Sequence, residues 1–328
     1  METVMPKVVT IRTHGGPDVL GLEEAAVGLP GEGELRIKQS FCGVNFIDTY
    51  FRSGLYPVAL PFVPGQEGVG VITEIGARVN GFKIGDRVTY ATMSGGGYAS
   101  ERIIPADAAI RVPDFVNDHV GAAVTMKGLT AQMLIRQVYK AGPGTTMLVH
   151  AAAGGVGSIL AQWGTHLGAT VIGTVGSPDK AEFAREYGCH HVIDYAKENF
   201  AERVKQITGG RMCDVVYDGV GKVTAIGSLD SLKPLGTFIS YGNASGPVEN
   251  FGLLELAKRG SLFATRPMMP HYASTSERRS IMADEFFAAL QEGAIKPPPI
   301  KEYALADAAL AHRELESRKS MGCLVLAT

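Results

Sequence analysis

The run Thr146-Met147-Leu148-Val149-His150 reads as a strand, and it passes through Ala151-Ala152-Ala153-Gly154-Gly155-Val156-Gly157 into a helical pattern that ends near Leu167. Only small residues let a backbone close on a pyrophosphate. The first turn of the helix adds N–H groups without intrahelical partners, at the positive end of its dipole. In the G-x-G-x-x-G register Ala152 takes the first glycine place, and Gly154 and Gly157 hold the other two. A glycine motif alone is a weak signal. Set between a strand and a helix, within a series of such units, it predicts a dinucleotide site. The plainer reading of the same glycines is close helix–sheet packing.

The next strand, Thr170 to Val175, discriminates between cofactors. A site for NAD carries an acid about 20 residues on, to bond the ribose 2′-hydroxyl. Here the tip reads Gly176-Ser177-Pro178-Asp179-Lys180, which offers space, a hydroxyl and a cation on the first helical turn. That set suits a 2′-phosphate and favours NADPH over NADH. Asp179 reads as a first-turn acid serving the helix dipole. Tyr195, at the end of the following strand, can add a phenolic contact.

These residues need elements to hold them. A helical pattern spans Val120 to Val138, and strands and helices then alternate. A helix over Pro178 to Tyr187 has Ser177 as N-cap, and strands follow at 191–195, 213–217 and 236–240. Repeated units of this kind predict a doubly wound parallel sheet. Before them lie closely spaced strands at 7–11, 34–38, 68–76 and 85–90, the signature of a β-rich, barrel-like domain. A helix over Ser280 to Gln291 and a last strand, Cys323 to Ala327, are expected to return to that domain. The expectation is therefore an α/β protein. Residues 1–125 and 268–328 form the β-rich catalytic domain, and 126–267 form the nucleotide-binding domain.

Composition narrows the function classes. The chain has 328 residues, 45% of them hydrophobic and 20% charged, with a formal net charge of −2. That balance gives no electrostatic case for nucleic acid or an anionic membrane. Cys42, Cys189, Cys213 and Cys323 are scattered without a C-x-x-C pair, as in a reducing compartment. The stretch Met1 to Thr10 lacks a signal peptide's apolar run, and nothing approaches the roughly 18 apolar residues of a membrane span. The expected location is cytoplasmic. Cys189-His190-His191 looks like a metal cluster only as text, since successive residues entering a strand face opposite ways.

Several segments carry a family resemblance along essentially the whole chain. They are Gly43-Val44-Asn45-Phe46-Ile47-Asp48-Thr49-Tyr50-Phe51-Arg52-Ser53-Gly54-Leu55-Tyr56, Pro64-Gly65-Gln66-Glu67-Gly68, Lys127-Gly128-Leu129-Thr130, Tyr217-Asp218-Gly219-Val220-Gly221, Thr265-Arg266-Pro267 and Leu315-Glu316-Ser317-Arg318. With these the chain resembles the quinone oxidoreductase branch (zeta-crystallin-like) of the medium-chain dehydrogenase/reductase superfamily. The resemblance implies a GroES-like catalytic domain beside a Rossmann domain. In zinc members a cysteine and a histidine stand where this chain has Asn45 and Gln66. Neutral amides are poor zinc ligands, so no metal is expected.

The resemblance further implies NADPH as cofactor. Its contacts carry over to Phe46, Tyr50, Thr130, Gly155, Val156, Gly176, Ser177, Lys180, Tyr195, Val220, Tyr241, Gly242, Asn243, Ala244 and Arg318. Gly219 and Tyr241 depart from the usual serine and phenylalanine without disturbing the site. Without metal, catalysis rests on placing the nicotinamide against an electron-poor acceptor. Asn45 and Gln66 are candidate donors to the acceptor's oxygen, and Tyr50 and Tyr56 candidate walls or proton relays. Plainer roles stand beside these: Asn45 as a helix cap, Gln66 as a partner for buried backbone, Lys127 and Thr130 as support.

The expected activity is NADPH-dependent reduction of a quinone. A double-bond reductase for alkenals or enones is the alternative, and a cofactor-gated RNA-binding protein a third reading that the charge disfavours. An edge strand near Ser261 to Thr265 would join two sheets in a homodimer.

Overall fold

Residues 5–249 and 251–328 are described in the computed structural model of the chain. Met1 to Val4, part of the N-terminal stretch read above for a signal peptide, lie outside them, as does Asn250. The chain forms two units. The first takes residues up to Met126 together with Ala273–Asp284 and Pro299–Thr328; the second takes Lys127–Tyr272 and Glu285–Pro298.

The first unit is organised by one long strand, Glu34–Val44. On one edge it pairs with Glu67–Ile75; on the other it pairs first with Glu101–Pro105 and then with Cys323–Ala327. Irregularities at Arg36/Ile37 and Gln39/Phe41 bend it between those partners. The inward residues Leu35, Ile37, Ile72, Val88, Tyr90 and Ile104 alternate along their strands and form one fully buried core. A second core joins Cys42, Val44 and Tyr98 to Ala308, Ala311 and Leu324 of the C-terminal segment.

Among the described residues the second unit holds six parallel strands. Across the sheet they run His191–Asp194, Thr170–Val175, Thr146–Val149, Cys213–Asp218, Leu232–Ser240 and Phe263–Thr265. Numbered in chain order this is 3-2-1-4-5-6, the order of a Rossmann sheet. The order reverses between Thr146–Val149 and Cys213–Asp218, and ligands bind at such a switch point, beyond the carboxyl ends of the strands. Leu148, Ile172, Ile193 and Val216 bury one face against Val204 and Leu229 of the covering helices.

Two sequence expectations need correction. The helical pattern read over Val120 to Val138 begins at Asp118, is α-helical to Gln132 and widens to a π-turn at Met133–Val138. Gln137 Nε2 donates to Gln132 Oε1 (2.7 Å) across that turn. The second concerns the tail. Residues 268–272 and 285–298 pack with the nucleotide unit, although 268–328 was assigned to the β-rich domain. The cause is visible on the helix Ser276–Gln291. Phe286 fills the space left by the missing side chain of Gly128, where an added Cβ would stand 2.3 Å from the ring. Beyond the helix, the Gln162 amide donates to Lys296 O (3.1 Å) and accepts from Lys296 N (2.8 Å).

Candidate active site

In the first unit the candidate residues gather around the helix Phe46–Ser53. Asn45 precedes it in an extended conformation and forms a capping box with Asp48, whose carboxylate accepts from the Asn45 backbone N–H at 2.9 Å. The Asn45 side chain is also engaged: Nδ2 donates to Glu67 Oε1 at 2.8 Å. Glu67 is fully buried, and its other oxygen accepts from the Met126 N–H at 2.6 Å. The close packing explains Gly43, since a Cβ there would lie 2.2 Å from Ala122 O and 2.3 Å from Glu67 Oε1. So the capping role read for Asn45 is present, and its amide is turned to a carboxylate.

Gln66 is different. Its side chain is fully buried, and Oε1 accepts from the Gly95 N–H at 3.0 Å, which fixes the amide's orientation. Nε2 is buried with no hydrogen-bond partner among the described residues. An unmet buried donor costs about 1–3 kcal/mol, so it marks a place where a ligand's acceptor would be rewarded. Aromatic rings cluster on the helix Phe46–Ser53 and just past its end: Tyr50 and Tyr56 meet edge to face at 5.3 Å, and Phe46 lies 6.5 Å from Tyr50. Tyr50 is buried and Tyr56 half-buried.

A chain of hydrogen bonds, buried except at its Glu316 end and not anticipated from the sequence, fixes this helix to the C-terminal one, Ala308–Glu316. Glu316 takes a bidentate bond from Arg52 (2.7 and 3.0 Å), and Arg52 Nη1 donates to His312 Nδ1 at 2.9 Å. Arginine carries no acceptor, so Nδ1 must be the unprotonated nitrogen. His312 Nε2 then donates to Tyr98 Oη (2.9 Å), and Tyr98 donates to Asp48 Oδ2 (2.9 Å). Burial and then the Arg52 charge push the His312 pKa down to about 3, in keeping with a neutral ring. Arg318, two residues past Glu316, is exposed with a left-handed φ of 58°. Arg52 and Glu316 both lie in segments quoted for the family resemblance, which was the one available signal. His312 carried none.

In the second unit the turn after Thr146–Val149 leads into the helix Gly155–His166, with Gly154 as N-cap. At Gly157 a Cβ would come within 2.3 Å of Ala151 O, so the turn closes only on glycine. The N–H groups of the first helical turn, Gly155 and Val156 among them, have no intrahelical acceptor by geometry. At the tip of the next strand Ser177 caps the helix Pro178–Glu186, its Oγ accepting from Lys180 N at 3.4 Å. Burial lowers the Lys180 pKa. Tyr195 closes on the same tip: a Cβ on Gly176 would sit 2.9 Å from its hydroxyl. Gly176, Ser177, Lys180 and Tyr195 are therefore brought together.

The loops after the fourth and fifth strands interlock. Tyr241 N–H donates to Asp218 O (2.8 Å), Ala244 N–H to Gly219 O (3.3 Å), and Val220 N–H to the Asp218 carboxylate (2.8 Å). A Cβ at Gly219 would stand 2.9 Å from the Tyr241 ring, so these two departures from the family pattern fit each other. Arg266 holds the second loop: Nη1 donates to Gly242 O at 2.9 Å, and Nη2 to the Asn243 side-chain oxygen at 3.1 Å. Val220, Tyr241, Gly242, Asn243 and Ala244 thus form one surface. Thr130 is half-buried and Lys127 buried in the helix that opens this unit. Cys189 is buried, while His190 Nδ1 accepts from the Val171 N–H at 3.0 Å, an ordinary structural bond.

A Rossmann sheet with its small-residue turn, following a β-rich unit, is the construction of the medium-chain dehydrogenases and reductases. Residues 31–114 match the alcohol dehydrogenase GroES-like domain, and residues 155–277 the zinc-binding dehydrogenase domain. A quinone oxidoreductase of Pseudomonas aeruginosa is 46% identical over 98% of this chain and 99% of its own. A 2-haloacrylate reductase of a Burkholderia species is 43% identical, over 98% and 99%. The crystal structure of Escherichia coli quinone oxidoreductase complexed with NADPH is 42% identical, with a TM-score of 0.96, covering 98% of this chain and all of that one. The chain belongs to the quinone oxidoreductase branch of the medium-chain dehydrogenase/reductase superfamily.

Proposed function

We propose that the protein is an NADPH-dependent quinone reductase that works without zinc. The observation that carries the cofactor reading is the strand tip where Gly176, Ser177, Lys180 and Tyr195 converge without an acid on the strand's end. There Lys180, the Ser177 hydroxyl and the Tyr195 phenol would hold a 2′-phosphate, and the N–H groups of Gly155 and Val156 the pyrophosphate. Val220, Thr130 and the loop Tyr241–Ala244 would line the remainder; the contacts read for Phe46, Tyr50 and Arg318 rest on the family resemblance. The bound NADPH supplies hydride.

On the acceptor side, Gln66 Nε2 donates to the oxygen where charge develops. Asn45 holds its amide toward Glu67 and supports the pocket through the helix cap. Tyr50 and Tyr56 offer aromatic surface to a planar ring. Zinc does not fit this donor set. Neutral amides are poor zinc ligands, and here the Asn45 amide turns its N–H to Glu67 while Gln66 Oε1 is bonded to the Gly95 N–H.

The Burkholderia relative named for 2-haloacrylate supports a second reading, reduction of an activated double bond, for which the same oxygen donor serves. The test is a panel of a naphthoquinone, an orthoquinone and a 2-alkenal, each run with NADPH and NADH. Fastest turnover with a quinone and NADPH is expected. Preference for the alkenal selects the second reading, and no oxidation of either nucleotide sinks both.

We further propose a cytoplasmic homodimer joined through the edge strand Phe263–Thr265. It pairs on one side only among the described residues, and Phe263 and the nearby Leu253 are 61% and 80% exposed. No helix among the described residues is long and apolar enough to cross a membrane.

A further inference from the structure

His150 follows the first strand of the parallel sheet, is fully buried, and has both ring nitrogens engaged. Nδ1 lies 2.8 Å from Thr174 Oγ1, and Nε2 lies 2.9 Å from Ser228 Oγ. Ser228 continues to Asp218 Oδ2 at 2.8 Å, and Asp218 also accepts from the Thr224 hydroxyl and from the N–H groups of Val220 and Gly221. Protons can flow in one direction only. A carboxylate only accepts, so Ser228 spends its single proton on Asp218 and must accept from His150. His150 is therefore protonated on Nε2, and its Nδ1 lone pair accepts from Thr174. Phe200 packs edge-on against the ring at 4.9 Å and holds its plane.

The network crosses the switch point of the sheet. Thr174 stands two residues before Gly176, His150 opens the pyrophosphate turn, and Asp218 anchors both Val220 and, through its carbonyl, Tyr241. The three strand ends that carry the cofactor loops are laced by side chains as well as by their backbones. We propose that His150, with Ser228 and Asp218, is a positioning residue that holds those loops in register for the dinucleotide. The proposal rests on the reading of this turn as the NADPH site.

The test measures NADPH affinity by fluorescence titration on folded protein, well below the melting temperature, beside the His150 tautomer by nitrogen NMR. Ser228→Ala, which cuts the network at its centre, is expected to weaken NADPH about tenfold or more. Thr174→Val, nearly isosteric, cuts it at the other end and should act in the same direction if the first variant folds poorly. Asp218→Asn is the conservative rescue. Its amide can donate to Ser228, which then donates to Nε2, so the chain persists in reverse with the proton on Nδ1. Affinity within about threefold of wild type and a switched tautomer are expected. A purely structural role lowers the melting temperature and leaves affinity within twofold in all three variants, which overturns the proposal. Asp218→Asn as weak as Ser228→Ala overturns it too. Failure of the wild type to bind NADPH is a separate outcome that removes the cofactor reading itself.

Discussion

Gln66 carries an unmet buried donor, and burial lowers the pKa of the Lys180 ammonium. In the proposed site, Gln66 would meet the acceptor's oxygen and Lys180 the 2′-phosphate. Gln66→Leu removes the orphan N–H but also the acceptor for Gly95, so stability by urea denaturation should stay within about 1 kcal/mol of wild type. Its kcat/KM for a quinone should fall about a hundredfold, the scale of losing one oxyanion donor. Lys180→Ala should weaken NADPH about 10- to 100-fold and leave NADH within twofold, by titration of both nucleotides. Equal loss for the two would place Lys180 away from the 2′-phosphate. The sequence offered Gln66 as a zinc ligand replaced, as a candidate oxygen donor and as a partner for buried backbone; that its oxygen is taken and its nitrogen left over depends on Gly95, 29 residues on.

At the scale of elements, the chain from Glu316 to Asp48 couples two helices through a histidine that is neutral when folded. An exposed histidine titrates near pH 6.5, whereas burial brings His312 to about 3. Between those values the unfolded chain binds the extra proton, so stability is complete above about pH 6.5 and lost as the pH falls toward 3. The slope near pH 5 should include about 1.4 kcal/mol per pH unit from this residue. Denaturation at several pH values should show that contribution vanish in His312→Gln; an unchanged slope would mean that His312 does not carry it. The helix Ser276–Gln291 teaches the same lesson about context. Its period was readable, but its division between the units was decided by Phe286 meeting a glycine at position 128. Gly128→Ala should lower stability by about 1–3 kcal/mol, measured by thermal or urea unfolding, because the ring has to shift.

For the whole molecule, the exposed edge strand and a formal charge of −2 set the expectations for partners. Light scattering should give twice the 34.8 kDa chain mass, and Phe263→Lys should shift it toward one. A monomeric wild type would remove the edge-pairing proposal. With so balanced a charge, RNA should show no salt-dependent binding.

The sequence by itself determined the alternation of strands and helices, the small-residue turn, and the exchange of zinc ligands for amides. These are local patterns, each set by spacing or residue type within a short stretch. Its segments were long and ordered enough to reveal the family. The tertiary structure decided what depends on distant partners: the orphaned nitrogen of Gln66, the use of Asn45 to reach Glu67, the burial of His312, and the lacing of His150 to Ser228. A hydrogen bond spanning 78 or 214 residues leaves no period in the chain, because nothing near either residue has to change for it to form.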